Sequence, residues 1–260
     1  MASVEVLKQQ YGEHARSYNE DYPKSPYAIL EAQLVESALG DCTGYTVLDL
    51  GGGEGSRARE AIDCGASIVD VVDVCPEMLS VGRRFTGSKY GDHISWHEAD
   101  VSKPLEHLPL RGGHGTYDLV MANWVLDHAS NIADLENMWR NISTYMKPGG
   151  RFVGVRSGDP YARCAANGEY GITYKDFNPV PGGILFRFEV NSDPPMSFDA
   201  SSWEVSYSGS TEMHEKHGLG EVEIEPYEDK ETVRKDPEYW KVFLENPSMV
   251  VVKARKLSSS

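Results

Sequence analysis

The apolar run Thr46-Val47-Leu48-Asp49-Leu50 leads straight into Gly51-Gly52-Gly53-Glu54-Gly55-Ser56. A segment of strand length therefore breaks into glycines, and residues Ser56 to Cys64, rich in Arg, Ala and Glu, read as the helix that follows. Strand, tight glycine turn and helix form the opening unit of a doubly wound α/β nucleotide-binding sheet. Glycines at 51, 53 and 55 allow positive φ and keep Cβ atoms out of the way of a ligand. A dinucleotide turn needs G-x-G-x-x-G with pyrophosphate at the helix start. Here the order is Asp49-x-Gly51-x-Gly53-x-Gly55, with Glu54 inside the turn. Those carboxylates repel a pyrophosphate, and a ligand carrying positive charge suits them better.

The D-x-G-x-G-x-G turn resembles motif I of the class I S-adenosylmethionine-dependent methyltransferases, whose cofactor carries an ammonium and a sulfonium. Further segments resemble the same family. Tyr11-Gly12-Glu13-His14-Ala15-Arg16-Ser17-Tyr18 is similar to its Y-x-x-x-A-x-x-Y lid, which implies that Tyr11 and Tyr18 close over the cofactor. Cys75-Pro76-Glu77-Met78-Leu79 resembles the exit of strand two and implies Met78 against the adenine. Asp100, with Val101 beside it, matches the acid that accepts from the adenine amine. Lys147-Pro148-Gly149-Gly150 is a fold mark of the family before its fifth strand. Ser25-Pro26-Tyr27 and the segment from Pro237 to Pro247 look like the toxoflavin-synthase-like branch of small-molecule methyltransferases.

Position adds to this. Asp73 ends the second strand, about 20 residues past the glycine turn, where a carboxylate grips a ribose diol. Asn123, Trp124 and His128 follow the fourth strand, beside the switch point of such a sheet. Asn123 is thus a candidate for the cofactor ammonium, and Trp124 and His128 for the substrate. His128 is also the one titratable group there suited to act as a base near neutral pH.

The expected fold is a Rossmann-like, seven-stranded, mostly parallel sheet whose last strand runs antiparallel. One domain is expected over 1–260: a helical lid over 1–40, a cofactor core over 41–157, a substrate cap over 158–217 and the last core strands over 218–256. Helices are expected from Ser3 to Tyr22 and from Ser25 to Gly40, the second turning Ile29, Leu30, Leu34, Val35 and Leu39 inward. The cap reads as loop up to residue 183, then a hairpin of Ile184–Val190 with Trp203–Ser208. Its Trp203 and Tyr207 are candidates to roof the substrate. Asp70, inside the second strand, has no evident reason to be there.

A formal net charge of −15 argues against nucleic-acid backbones and anionic membrane surfaces as partners. Four scattered cysteines lack C-x-x-C pairing, and His214 and His217 have no third ligand nearby, so neither a disulfide framework nor a metal is expected. No stretch has transmembrane length and no signal-peptide core is evident, so a cytoplasmic protein is expected, and the sequence leaves monomer and homodimer both open. The reading is methyl transfer by SN2 displacement from S-adenosylmethionine, leaving S-adenosylhomocysteine. The acceptor is nitrogen or oxygen of a small, aromatic or heteroaromatic secondary metabolite. The alternatives are a non-methylating reaction that uses the same cofactor, such as a cyclisation or isomerisation, and a scaffold that no longer binds it.

Overall fold

The computed structural model describes residues 3–206 and 209–258. Ser3 caps the first helix, α1 (Val4–Asp21), by accepting from the Val6 amide at 3.3 Å. Ser25 does the same for α2 (Pro26–Leu39), with Pro26 opening the helix where no amide is needed. Leu30, Leu34, Val35 and Leu39 are buried as expected, whereas Ile29 is 40% exposed. It lies on the crevice side of α2, not over the sheet.

The strands β1 (Thr46–Leu50), β2 (Ile68–Asp73), β3 (Ile94–Glu98), β4 (Tyr117–Met121) and β5 (Met146–Ser157) pair in parallel. Helices α3 (Ser56–Asp63), α4 (Pro76–Tyr90) and α5 (Ile132–Tyr145) connect or flank them. The sheet order is β3-β2-β1-β4-β5-β10-β9, where β9 is Leu219–Ile224 and β10 is Met249–Lys256. β10 runs antiparallel to both β5 and β9. Between β1 and β4 the chain order reverses, so the ends of those strands open on the crevice where such sheets bind ligands. Short helices α6 (Glu212–Lys216), α7 (Glu231–Lys235) and α8 (Lys241–Glu245) fill the edges.

Asp70 now has an account. Fully buried, it accepts from Tyr117 Oη at 2.7 Å and from the Arg111 amide at 2.9 Å, and pairs with His97 Nε2 at 3.2 Å. Burial opposes its charge, but bonds from His97, Tyr117 and the Arg111 backbone outweigh it and hold the carboxyl below its usual range. The acid thus ties β2 to β3, to β4 and to the 111–112 loop.

The cap differs from the expected hairpin. It is a three-stranded antiparallel sheet of β6 (Ile172–Val180), β7 (Gly183–Val190) and β8 (Met196–Trp203). β6 carries a register shift between Lys175 and Asn178, where Asp176 takes φ 56°. The bulge and Pro179 hid the strand's alternation. The Asn191–Pro195 loop does join two strands, but the second starts at once and ends at Trp203, where it was expected to begin.

Candidate active site

Gly51, Gly53 and Gly55 take φ of 69°, 55° and 75°, so the turn uses the left-handed freedom of glycine three times. A Cβ on Gly52 would stand 2.6 Å from Asp49 Oδ2, and one on Gly53 3.1 Å from Met78 Cε. The backbone thereby clears a crevice of about 430 Å³ lined by Asp49, Gly51, Gly53, Asp73, Met78 and Asn123, among others. Asp73 is fixed by its neighbours: Oδ2 accepts from the Gly53 amide at 2.9 Å and Oδ1 from the Cys75 amide at 2.8 Å. Asp49 is fully buried, and neither of its carboxyl oxygens has a hydrogen-bond partner among the described residues. Burial, with the Asp73 charge adding to it, pushes its pKa up to about 8. Both amide atoms of Asn123 are likewise buried and unpartnered. Unmet polar groups of this kind are costly in a finished core and ordinary in a ligand site.

Tyr11 and Tyr18 of α1 also line the crevice, their rings 5.8 Å apart edge to face. Tyr11 stacks on Phe198 of β8 at 4.4 Å, which binds the N-terminal helix to the cap. Its hydroxyl meets His128 Nε2 at 2.9 Å, and His128 Nδ1 meets the Asp199 carbonyl oxygen at 3.1 Å. A carbonyl only accepts, so Nδ1 carries the proton and Nε2 accepts from Tyr11. Burial pushes the imidazole down to about 4, and it is neutral at pH 7.

Trp124 takes a left-handed φ of 64°, with its amide donating to Val155 O at 2.7 Å. Its indole Nε1 donates to Glu31 Oε2 at 2.9 Å. Glu31, 3% exposed on α2, also accepts from Tyr22 Oη at 2.5 Å and from Arg57 Nη2 at 2.6 Å. This buried acid, with Arg57 on the crevice wall, escaped the sequence reading. Its one signal was an acid four residues after Tyr27 on the apolar face of α2.

Not all the expected residues share the crevice. Asp100 and Val101 border a separate cleft of about 60 Å³ with Gly51, Asp73 and Leu7. Asp100 Oδ1 accepts there from the Ser102 amide at 2.8 Å. Trp203, 4% exposed, packs beneath the cap and donates from Nε1 to Ala129 O at 3.0 Å. It lines none of these cavities. Tyr207 lies outside the described residues. Among the described residues no cluster of His, Cys, Asp or Glu is arranged to hold a metal, and no helix is long and apolar enough to cross a membrane. His214 instead sits against the Trp139 ring at 4.4 Å.

Residues 47–150 match the family model described as a methyltransferase domain. The chain carries a methyltransferase domain. Over 111 residues it is 30% identical to a ubiquinone/menaquinone biosynthesis C-methyltransferase of Methylobacterium nodulans, 42% of this chain and 40% of that protein. Over 179 residues it is 27% identical to the squalestatin tetraketide synthase of Cochliobolus lunatus, 66% of this chain but 6% of the synthase. The match therefore spans less than half the length of each of these relatives. Among solved structures, the CcbJ methyltransferase of Streptomyces caelestis superposes with TM-score 0.65 at 19% identity, covering 96% of this chain and 99% of that one. The 1,6-didemethyltoxoflavin-N1-methyltransferase of Burkholderia thailandensis gives 0.58 at 15%, covering 99% and 92%. At such identities the agreement is one of fold.

The fold implies S-adenosylmethionine, and the crevice fits it. A buried carboxyl and a buried amide, both without a hydrogen-bond partner among the described residues, meet a ligand that brings an ammonium, a carboxylate and a diol. The glycine turn leaves room for it, and about 430 Å³ lies within the usual range for small-molecule sites.

Proposed function

We propose that the protein methylates a small molecule that carries an aromatic or heteroaromatic ring, on nitrogen or oxygen, with S-adenosylmethionine as donor. The observation that carries this reading is that the side-chain polar atoms of Asp49 and Asn123 are buried in a glycine-walled crevice with no hydrogen-bond partner among the described residues. Tyr11, Tyr18, Trp124 and His128 on its wall also face a second, aromatic chamber under the cap sheet. When bound, S-adenosylmethionine supplies a methyl group activated by the positive charge on sulfur. Asp49 and Asn123 would hold the ammonium end, and Asp73 the ribose. Tyr11, latched to His128, closes α1 over the crevice and keeps water from it. His128, neutral and with its lone pair engaged by Tyr11, acts in this reading as a positioning residue for the lid. The rate then comes chiefly from holding two reactants in line. A heteroaromatic substrate is in keeping with the toxoflavin-precursor methyltransferase among the structural relatives, and the net charge of −15 is in keeping with the absence of a nucleic-acid substrate.

The test is calorimetry with S-adenosylhomocysteine and with NAD, followed by a turnover assay that detects S-adenosylhomocysteine. Binding of the former alone is the expected result. NAD binding without S-adenosylhomocysteine binding would refute the proposal.

A further inference from the structure

The aromatic chamber behind Trp124 is small, about 30 Å³, and walled by Tyr18, Tyr22, Trp124, Tyr174, Phe186 and Phe188. One acid, Asp127, stands on the same wall. It is 5% exposed, and Oδ2 alone takes both bonds from Ser157, the amide at 2.7 Å and the hydroxyl at 2.9 Å. Among the described residues no cation forms an ion pair with it. Arg156 of β5, whose charge it feels, gives Nη2 to the Ser210 carbonyl at 3.3 Å. A carboxyl held by one oxygen, amid rings whose faces are electron-rich, is an environment made for a cation. An open groove of about 290 Å³ shares Phe186 and Ala200 with the chamber and gives the rest of a substrate its way out.

We infer that the chamber receives an amine, bound as its ammonium against the aromatic faces, and that Asp127 takes the proton this nitrogen must lose. The inference rests on the methyl-transfer reading and narrows its acceptor to an amine nitrogen. In the proton step one N–H bond breaks and one O–H bond forms on the Asp127 carboxylate. The nitrogen lone pair set free is the nucleophile. Asp127 is suited to this exchange, since burial pushes it up to about 7, against the Ser157 bonds and the Arg156 charge that pull it down. The other groups that face it are Tyr174 from β6 and Tyr11 from α1, both pushed up by burial, and the neutral His128.

Benzylamine and benzyl alcohol have nearly the same shape and differ in charge at pH 7. Calorimetry of each on the S-adenosylhomocysteine complex should give benzylamine an advantage of about tenfold, the scale of a hydrogen bond between the ammonium and the Asp127 carboxylate. Asp127→Asn keeps an acceptor for Ser157. It should cost benzylamine most of that advantage and leave benzyl alcohol within about twofold. Equal binding of the two, binding of neither, or equal loss of both in Asp127→Asn would overturn the inference. Failure of S-adenosylhomocysteine to bind would instead defeat the methyl-transfer reading. The same pair titrated into the unliganded protein would still decide whether the chamber selects a cation.

Discussion

Asp49 makes the fold itself sensitive to pH. Its carboxyl moves from an ordinary 3.8 to about 8 because burial, reinforced by the negative Asp73, Glu54 and Glu60, disfavours the charge more than Arg57 favours it. Between those values the folded chain holds a proton that the unfolded chain has lost. The stabilisation is therefore complete below about pH 4 and drains away as pH rises through about 8. Each pH unit is worth about 1.4 kcal/mol, so this single group costs the ligand-free protein ~6 kcal/mol across the window. Asp49→Asn keeps the shape and removes the titration. Urea unfolding at pH 5, 6 and 7 should show wild type losing about 1.4 kcal/mol per unit more than the variant. A cationic ligand beside Asp49 reverses the preference and expels the proton. Titrating S-adenosylmethionine at pH 7 in buffers of different ionisation enthalpy should then report release of about one proton in wild type and none in Asp49→Asn. Parallel pH–stability curves for the two proteins would refute the argument, because they would mean that Asp49 is already ionised in the empty crevice.

Asp73→Ala should weaken S-adenosylhomocysteine by about 1.5–3 kcal/mol in calorimetry, the scale of hydrogen bonds to a charged group. His128→Ala should raise the cofactor Kd and lower turnover by less than about tenfold with an unchanged pH profile; a loss of ~10²–10⁴ together with a vanished pH limb would make His128 the base instead. Arg57→Met strands the buried Glu31 carboxylate and should cost about 3–5 kcal/mol in urea unfolding, most of it recovered when Glu31→Gln is added. Trp124→Ala should mainly raise the KM of the accepted substrate, the mark of binding lost equally in ground and transition states.

What the sequence made legible is what local chemistry dictates. An acid followed by alternate glycines can hardly be anything but a strand turning tightly into a helix, and the turn's three positive φ angles lie at the glycines that the spacing singled out. Ser3 and Ser25 marked two helix starts because a cap is made within three residues. The cap sheet resisted for the opposite reason. Asp176 leaves the strand conformation in mid-strand and Pro179 gives no amide, so two residues break a period that the β7 register restores on either side.

The site divides along the same line. Asp49, Gly51, Gly53 and Asp73 lie at strand ends and in the turn, where position alone assigns a direction. Glu31 and Asp127 declare themselves only through partners that lie elsewhere in the chain. Glu31 draws Arg57 and Trp124, 26 and 93 residues away, and Asp127 draws Ser157, 30 away. A lone acid on an apolar helix face, or one more acid after a strand, reads as an oddity until the fold supplies its donors. Asp70 was such an oddity, and its donors, from Tyr117, Arg111 and His97, account for it in full within the sheet. Asp127 differs in that Ser157 engages one of its two oxygens on the wall of a cavity. That contrast separates an acid that completes the fold from one that the fold presents to a ligand.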